Sequence, residues 1–307
     1  MTLDGLLVID KPEGPTSHDV VARARRLLRI PGVGHTGTLD PMATGVLPLV
    51  LGRATRLARF LTSDAKRYQA EVRLGVATDT YDRQGETTGD AVAVTVARDA
   101  VEAALEAFRG EITQTPPPYS AKKIGGVSAH RLARRGEAVT PAPVQVTVHH
   151  LELLDFAGDR LTLDVHCSAG FYVRSLAHDL GAALGCGAHL TALRRTASGD
   201  WTLAHAIPLA DCERDIEAMR ARVVAPSELL TGWPAVTVNV DGERRVRHGQ
   251  MLRPADLTSP AADAGTEAEA GAAPGSEGIR VLTASGDLIA IAQPHPSGFL
   301  HPGLVLV

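Results

Sequence analysis

Apolar positions change their spacing several times along this chain, and each spacing predicts a different element. Val20, Val21, Ala24, Leu27 and Leu28 recur at helical intervals between Asp19 and Arg29, with Ser17 or Asp19 able to cap the start and Pro31 just past the end. Arg23, Arg25, Arg26 and Arg29 fall largely off that stripe. From Tyr68 the interval drops to two: Tyr68, Ala70, Val72 and Leu74 alternate with Gln69, Glu71 and Arg73, the period of a half-buried strand. Leu161, Leu163, Val165 and Cys167 repeat it. Further helices are predicted from Arg98 to Arg109, ended by Gly110, from Ser128 to Arg135, from Tyr172 to Leu184 and from Asp211 to Arg222. Strands and helices mix without a βαβ rhythm, which predicts an α+β domain built on a largely antiparallel sheet. After Pro234 the character changes. Val236, Val238 and Val240 alternate, Val246 follows, and Ile279 to Ala292 offers a strand pair around Ser285, Gly286 and Asp287. A small β-rich module is expected there, so that the chain divides into 1–230 and 235–307, with the boundary between Leu230 and Pro234.

Composition sharpens this picture by exclusion. The chain has 307 residues, about two domains' worth, and its 44% hydrophobic content suffices for real cores. No run reaches the roughly 18 to 20 apolar residues of a membrane span, and no charged stretch followed by an apolar core opens the chain, so a soluble cytoplasmic protein is expected. Cys167, Cys186 and Cys212 lie 19 and 26 positions apart, which suits neither a disulfide framework nor a zinc site; buried or incidental thiols are expected. With 31 basic against 35 acidic residues the net charge is −4, and aromatics are only 4%, which by itself discourages a nucleic-acid binder. The average conceals two extremes. Residues 255–278 carry five acids and no Lys or Arg, and read as a disordered loop without which the rest would be net +1. Residues 122–137 carry Lys122, Lys123, Arg131, Arg134 and Arg135 against one acid, net +4, between Gly125, Gly126 and Gly136. Such a cluster is commonly a solvated face; here the glycines suggest a mobile basic finger suited to phosphates.

The richest chemistry lies in IPGVGHTGTLDPMATGVLP, residues 30–48. Gly32, Gly34 and Gly37 satisfy a dinucleotide-binding G-x-G-x-x-G by letter, but that motif needs a strand before it and a helix opening behind it. A basic helix precedes it here and Pro41 interrupts the stretch behind it, so the glycines shape a loop and a dehydrogenase is left only as the formal alternative. No Lys-Ser/Thr pair comes after them, which excludes a P-loop. The loop presents one carboxylate, Asp40, before a proline. It reads either as an Asp-Pro turn or as a catalytic carboxylate, and the second needs a cation within about 4 to 6 Å to hold its pKa down. Arg174, in GFYVRSLAHDLG, is the candidate. Asp79, Asp82 and Glu86 lack calcium-loop spacing and read as surface acids in a turn.

Six ordered blocks resemble one family. Lys11-Pro12-x-Gly14-x-x-Ser17, Gly34-His35-Thr36-Gly37-x-Leu39-Asp40-Pro41-x-Ala43-x-Gly45, Lys66-x-Tyr68, Tyr119-Ser120-Ala121-x-Lys123, Gly170-x-Tyr172-x-Arg174, and Leu184 to Leu190 with Leu193-Arg194-Arg195 are similar to the TruB family of tRNA pseudouridine synthases. The match runs from about Leu6 to Arg195, and to the end if the β module is the family's PUA-like RNA-binding domain.

The resemblance implies the pseudouridine synthase fold and isomerisation of uridine 55 in the tRNA T loop, without metal, nucleotide or other cofactor, by a cytoplasmic monomer. The C1′–N1 bond breaks, the uracil turns and C5 is joined to C1′. Asp40 maps onto the catalytic aspartate, which could attack C1′, add to C6 or promote elimination to a glycal. Arg174 would pair with it. The uridine must first be flipped out, at a cost of a few kcal/mol. His35 matches the position that occupies or stacks near the vacated space, and Tyr68 the catalytic position that stacks on the flipped base with its phenol near the departing sugar or C5 proton, although periodicity alone makes Tyr68 a core strand residue. Tyr172 and Leu193 map onto the base pocket, and Lys11 with Pro12 onto a structural block. Residues 114–150 match an insertion that clamps the T arm through Lys122, Lys123, Arg131, Arg134 and Arg135; His130 stands where the family commonly has Tyr. Two other readings compete: the catalytic subunit of a guide-RNA particle, disfavoured by the lack of a long basic terminal extension, and a non-catalytic RNA chaperone. A tRNA-folding role can coexist with catalysis.

Overall fold

The computed structural model describes residues 3–62, 65–120, 122–124, 127–128, 135, 141–258 and 278–306. Strand β1 (Gly5–Lys11) is apolar at nearly every position because both its faces are buried: Leu7 and Ile9 enter one core, Leu6 and Val8 another. Helix α1 (Ser17–Leu28) buries Val20, Val21, Ala24 and Leu28. Its cap is Thr16 rather than Ser17 or Asp19. The Thr16 hydroxyl accepts from the Asp19 amide at 3.1 Å and the Asp19 carboxylate accepts from the Thr16 amide at 2.8 Å, a reciprocal capping box. β2 (Val33–His35) and β3 (Thr44–Leu51) then flank the loop that carries Asp40. Short helix α2 (Ala58–Leu61) precedes β4 (Lys66–Leu74), whose burial alternates at every residue as the period-two pattern predicts.

Helix α3 (Arg98–Leu105), β5 (Gly110–Gln114) and the antiparallel pair β6 (Lys123–Ile124) and β7 (Val127–Ser128) follow, then β8 (Val144–Ala157) and β9 (Arg160–Cys167). Helix α4 (Val173–Ala183) leads into β10 (Ala188–Ser198), β11 (Trp201–Thr202), β12 (Ile207–Pro208), α5 (Leu209–Arg214) and α6 (Ile216–Ala221). β13 (Ala235–Thr237), α7 (Val240–Arg247), β14 (Ile279–Leu282), β15 (Leu288–Pro294) and β16 (Leu300–Val305) complete the chain.

The main sheet runs β12-β1-β3-β10-β4-β9-β8-β5, with β2 on β3 and β11 on β10. Within it, only β1 with β12 and β3 with β10 pair parallel among the described strands, so the sheet is largely antiparallel as expected. One face carries α1 and α4 over a core that includes Leu7, Leu47, Tyr68, Ala70 and Leu163. Behind β1 and β3, Leu6, Val8, Val46 and Val50 pack with Leu288, Ile291, Leu304 and Leu306 of the second sheet, β13-β14-β15-β16, and the segment after it. Register brings together residues far apart in sequence: Gly45 and Tyr68 both lie opposite Arg195, which places the Asp40 loop, Leu193 and Tyr68 side by side. Gly45 (φ 99°) permits that approach, since a Cβ there would stand 2.1 Å from the Arg195 carbonyl oxygen.

Several elements depart from the sequence pattern. Ser128 belongs to a strand, not to the start of a helix, and residues 129–134 lie outside the described residues. The run from Asp211 to Arg222 breaks at Asp215, whose extended backbone lets its carboxylate accept from the Ala218 amide at 2.9 Å and start α6 anew. Val240 opens α7 instead of continuing a strand, because the Asn239 side chain caps it through the Gly242 amide at 2.9 Å. The acidic stretch begins in ordered structure: Asp256 is buried between Arg245 and Arg253, while 259–277 lie outside the described residues. All three cysteines are buried and free, with the Cys167 thiol pushed up to about 12 by burial. Among the described residues no helix is long and apolar enough to cross a membrane.

Candidate active site

A turn held at three points carries Asp40. The Ser17 hydroxyl accepts from the Leu39 amide at 2.8 Å and donates to the Leu39 carbonyl at 3.0 Å. The Gly14 amide donates to the Pro41 carbonyl at 2.9 Å, and Ala43 closes the turn onto the Asp40 carbonyl at 3.0 Å. Lys11 is fully buried beneath it, its Nζ donating to Pro12 O at 2.9 Å and Pro41 O at 3.3 Å. Burial lowers the Lys11 ammonium to about 8, against the pull of Asp40 and Glu13. Arg195, also buried, donates from Nε to Val46 O at 2.7 Å and from Nη2 to Gly37 O at 3.1 Å, so the loop is gripped from both sides.

The cation expected for Asp40 is in place. Arg174 meets it in a two-point contact, Nε to Oδ2 at 2.9 Å and Nη2 to Oδ1 at 3.3 Å. Its remaining donors reach Tyr119 O at 2.9 Å and Thr80 O at 3.1 Å. The arginine side chain is 7% exposed, whereas that of Asp40 keeps 35% and so remains accessible from outside. Burial nevertheless pushes the Asp40 carboxyl above the ordinary carboxylate value; Arg174 and Lys11 pull it down, and Asp82 pushes it further up.

Asp82 overturns the reading of a surface acid. It is buried, with Oδ2 3.6 Å from Arg174 Nη1 and Oδ1 accepting from Thr80 Oγ1 at 2.7 Å and the Gln84 amide at 2.9 Å. The turn closes on Asp82 at both ends, one hydroxyl and one amide meeting its carboxylate and the Thr78 hydroxyl donating to its carbonyl at 2.7 Å. No spacing rule singles Asp82 out from Asp79 or Glu86; its only local signal is the Thr-x-Asp-x-Gln pattern of a self-bonded turn.

Tyr68 lies on the inward face of β4, buried, which suits both readings of it; burial raises its phenol, while Arg195 lowers it and Asp40 raises it. His35 ends β2 half-buried, its Nδ1 accepting from the Gly37 amide at 3.3 Å and its ring edge-on to His18 at 5.7 Å. Burial, then His18 and Arg195, lower its pKa and favour the neutral ring. Tyr172 immediately precedes α4, and its backbone exchanges two hydrogen bonds with the Gln114 side-chain amide, at 2.8 and 3.0 Å. Leu193 is buried on β10. Of the basic finger, Lys122 and Arg135 are exposed and Lys123 lies in β6, while His130, Arg131 and Arg134 lie outside the described residues. Among the described residues no group of three His, Cys, Asp or Glu is placed to hold a metal ion.

This arrangement offers an oriented, partly accessible carboxylate near a buried tyrosine. A family model for the N-terminal domain of TruB family pseudouridylate synthases matches residues 25–173, and one for the C-terminal domain of tRNA pseudouridylate synthase B matches 174–230. A Solibacter usitatus (strain Ellin6076) protein named tRNA pseudouridine synthase B is 45% identical over 310 residues, covering 99% of this chain and 100% of its own. One of the same name in Symbiobacterium thermophilum is 48% identical over 250 residues, 80% of this chain and 82% of that one. A chain from a Cbf5-Nop10-Gar1 complex superposes with a TM-score of 0.71 at 27% identity, over 99% of this chain and 85% of that one. A chain from an H/ACA RNP bound to a substrate RNA containing 2'-deoxyuridine gives 0.70 at 26% identity, with the same coverage.

Proposed function

The chain belongs to the TruB family of pseudouridine synthases, and from that premise we propose how its own residues convert a tRNA uridine to pseudouridine and which uridine they take. It has the pseudouridine synthase fold and is a tRNA pseudouridine synthase. The target is uridine 55 in the T loop. Asp40 is the catalytic carboxylate, whether it attacks C1′, adds to C6 or drives elimination. In each route the C1′–N1 bond breaks, C1′–C5 forms, and the C5 proton is lost to a base.

The observation that carries this reading is the two-point contact between Arg174 and Asp40, made by a buried arginine to a carboxylate that remains partly accessible. Holding both carboxylate oxygens fixes the attacking direction, and reactions gain most from such fixed geometry. Tyr68 stacks on the flipped base, a contact of about 1 to 3 kcal/mol by general stacking values, and His35 fills the space it leaves. Tyr172 and Leu193 line the pocket. Lys122, Lys123, Arg131, Arg134 and Arg135 hold T-arm phosphates, residues 1–230 form the catalytic domain, and 235–307 form a PUA-like RNA-binding domain. The enzyme works as a monomer in the cytoplasm and needs no cofactor. The 45% identity to a tRNA pseudouridine synthase B, against 27% to a chain of a Cbf5-Nop10-Gar1 complex, favours free tRNA over a guided substrate.

Asp40→Asn removes the charge and little volume. It is expected to bind an unmodified tRNA transcript as the parent does while yielding no pseudouridine, as read by chemical-adduct mapping of the product. Pseudouridine from a clean Asp40→Asn preparation would falsify the catalytic assignment, and a parent product mapping away from position 55 would overturn the choice of target.

A further inference from the structure

Two unusual local geometries meet beside the Asp40, Arg174 and Asp82 group, at Tyr81. Its φ is 65°, a left-handed backbone that a bulky L residue rarely adopts and that persists only where surroundings enforce it. Its ring lies flat on the His178 imidazole, centroids 3.8 Å apart and planes 10° from parallel. His178 Nδ1 is buried there with no hydrogen-bond partner among the described residues, so the imidazole is held by ring contact and not by a bond at that atom.

The position of this stack in the chain gives it a task. His178 is one turn after Arg174 on α4, and Tyr81 sits between Thr80, whose carbonyl accepts from Arg174, and Asp82, whose carboxylate faces it. The stack therefore joins the helix that carries the arginine to the turn that receives it. On the far side, Leu190 of β10 donates to Tyr81 O at 3.0 Å and accepts from the Arg83 amide at 2.9 Å. We propose that Tyr81 is a positioning residue: its ring, clamped on His178, pins the 78–86 turn to α4 and fixes Thr80 O and the Asp82 carboxylate on the guanidinium that orients Asp40. This rests on the reading of Asp40 and Arg174 as the reaction centre. A displacement of about 1 Å in such a group can cost on the order of a hundredfold in rate, so a lost clamp is read in the chemical step and not in tRNA affinity.

The test uses the full chain and an unmodified tRNA transcript, with single-turnover rate, tRNA Kd and Tm measured together. Tyr81→Gly removes the ring but suits the left-handed backbone, so the variant folds. Its rate constant is expected to fall about tenfold or more, with Kd within about twofold and Tm near the parent's. Tyr81→Phe keeps the stack and the parent rate, and His178→Ala reproduces the Tyr81→Gly loss from the other ring. On an Asp82→Asn background Tyr81→Gly adds little, because both act through Arg174. A parent rate in Tyr81→Gly, a Tyr81→Phe as slow as Tyr81→Gly, or losses that multiply with Asp82→Asn would each overturn the proposal while the parent remains active. A parent protein that binds tRNA yet forms no pseudouridine would instead sink the reading of the site itself.

Discussion

Asp82→Asn probes how far the grip of Arg174 on Asp40 depends on its second carboxylate. The change keeps the shape and the turn's hydrogen bonds but removes the charge 3.6 Å from Nη1. Single-turnover pseudouridine formation is expected to slow at least tenfold, about 1.4 kcal/mol, with tRNA Kd unchanged. A parent rate would mean that Asp40 and the two carbonyls orient the arginine unaided. Lys11 supplies a pH test. Its pKa falls from the ordinary 10.5 to about 8 through burial. Below pH 8 both folded and unfolded chains hold the proton, and the buried cation is a cost. Between about 8 and 10.5 the unfolded chain keeps a proton that the folded chain has released, so stability rises with pH in that window. Urea midpoints of the parent should therefore gain on those of Lys11→Met from pH 8 to pH 10, and a constant difference would return Lys11 to its ordinary value. Neither residue stands out by spacing, because burial of a charge is decided by what closes over it.

Elements with one buried face are legible in the sequence; those with two, or none, are not. α1, β4 and β9 each show their period in the apolar positions because one side meets core and the other is more exposed. β1 and β3 are buried on both faces, and a run such as GLLVID or GVLPLV has no alternation to read. The Asp40 loop shows the same limit from another side. Its glycines and proline announce a loop, but the bond from Ser17 that anchors Leu39 joins residues 22 positions apart. Ser17→Ala orphans a buried amide and should cost about 1 to 3 kcal/mol in denaturant unfolding. It should also lower turnover, since Leu39 immediately precedes Asp40. Lost stability with full activity would show that the loop holds Asp40 without this tether.

At the scale of the molecule, net charge misleads and distribution informs. A net of −4 argues against RNA, yet Lys122 and Arg135 stand exposed, and Asp256, one of the acids in the acidic stretch, is neutralised by Arg245 and Arg253. Replacing Lys122, Lys123, Arg134 and Arg135 by Gln should weaken tRNA binding and reduce the steepness of its salt dependence by about one unit for each phosphate no longer neutralised. An unchanged slope with unchanged Kd would place those charges away from the RNA. The two sheets share a core behind β1 and β3, so the C-terminal strands also serve as the back wall of the main sheet.

The α+β class, the antiparallel strands with a solvated face, the loop that presents Asp40 and, through six ordered blocks, the family are all written in the amino-acid order. They are local or collinear properties: periodicity, turn chemistry and motif order run along the chain. It takes the folded chain to close Arg174, 134 residues from Asp40, on both carboxylate oxygens. Folding likewise buries Asp82 where Asp79 and Glu86 stay accessible, and lays Tyr81 on His178. Such contacts arise from strand register and from which turn folds inward. Those depend on the summed packing of the core and not on any residue's neighbours in sequence.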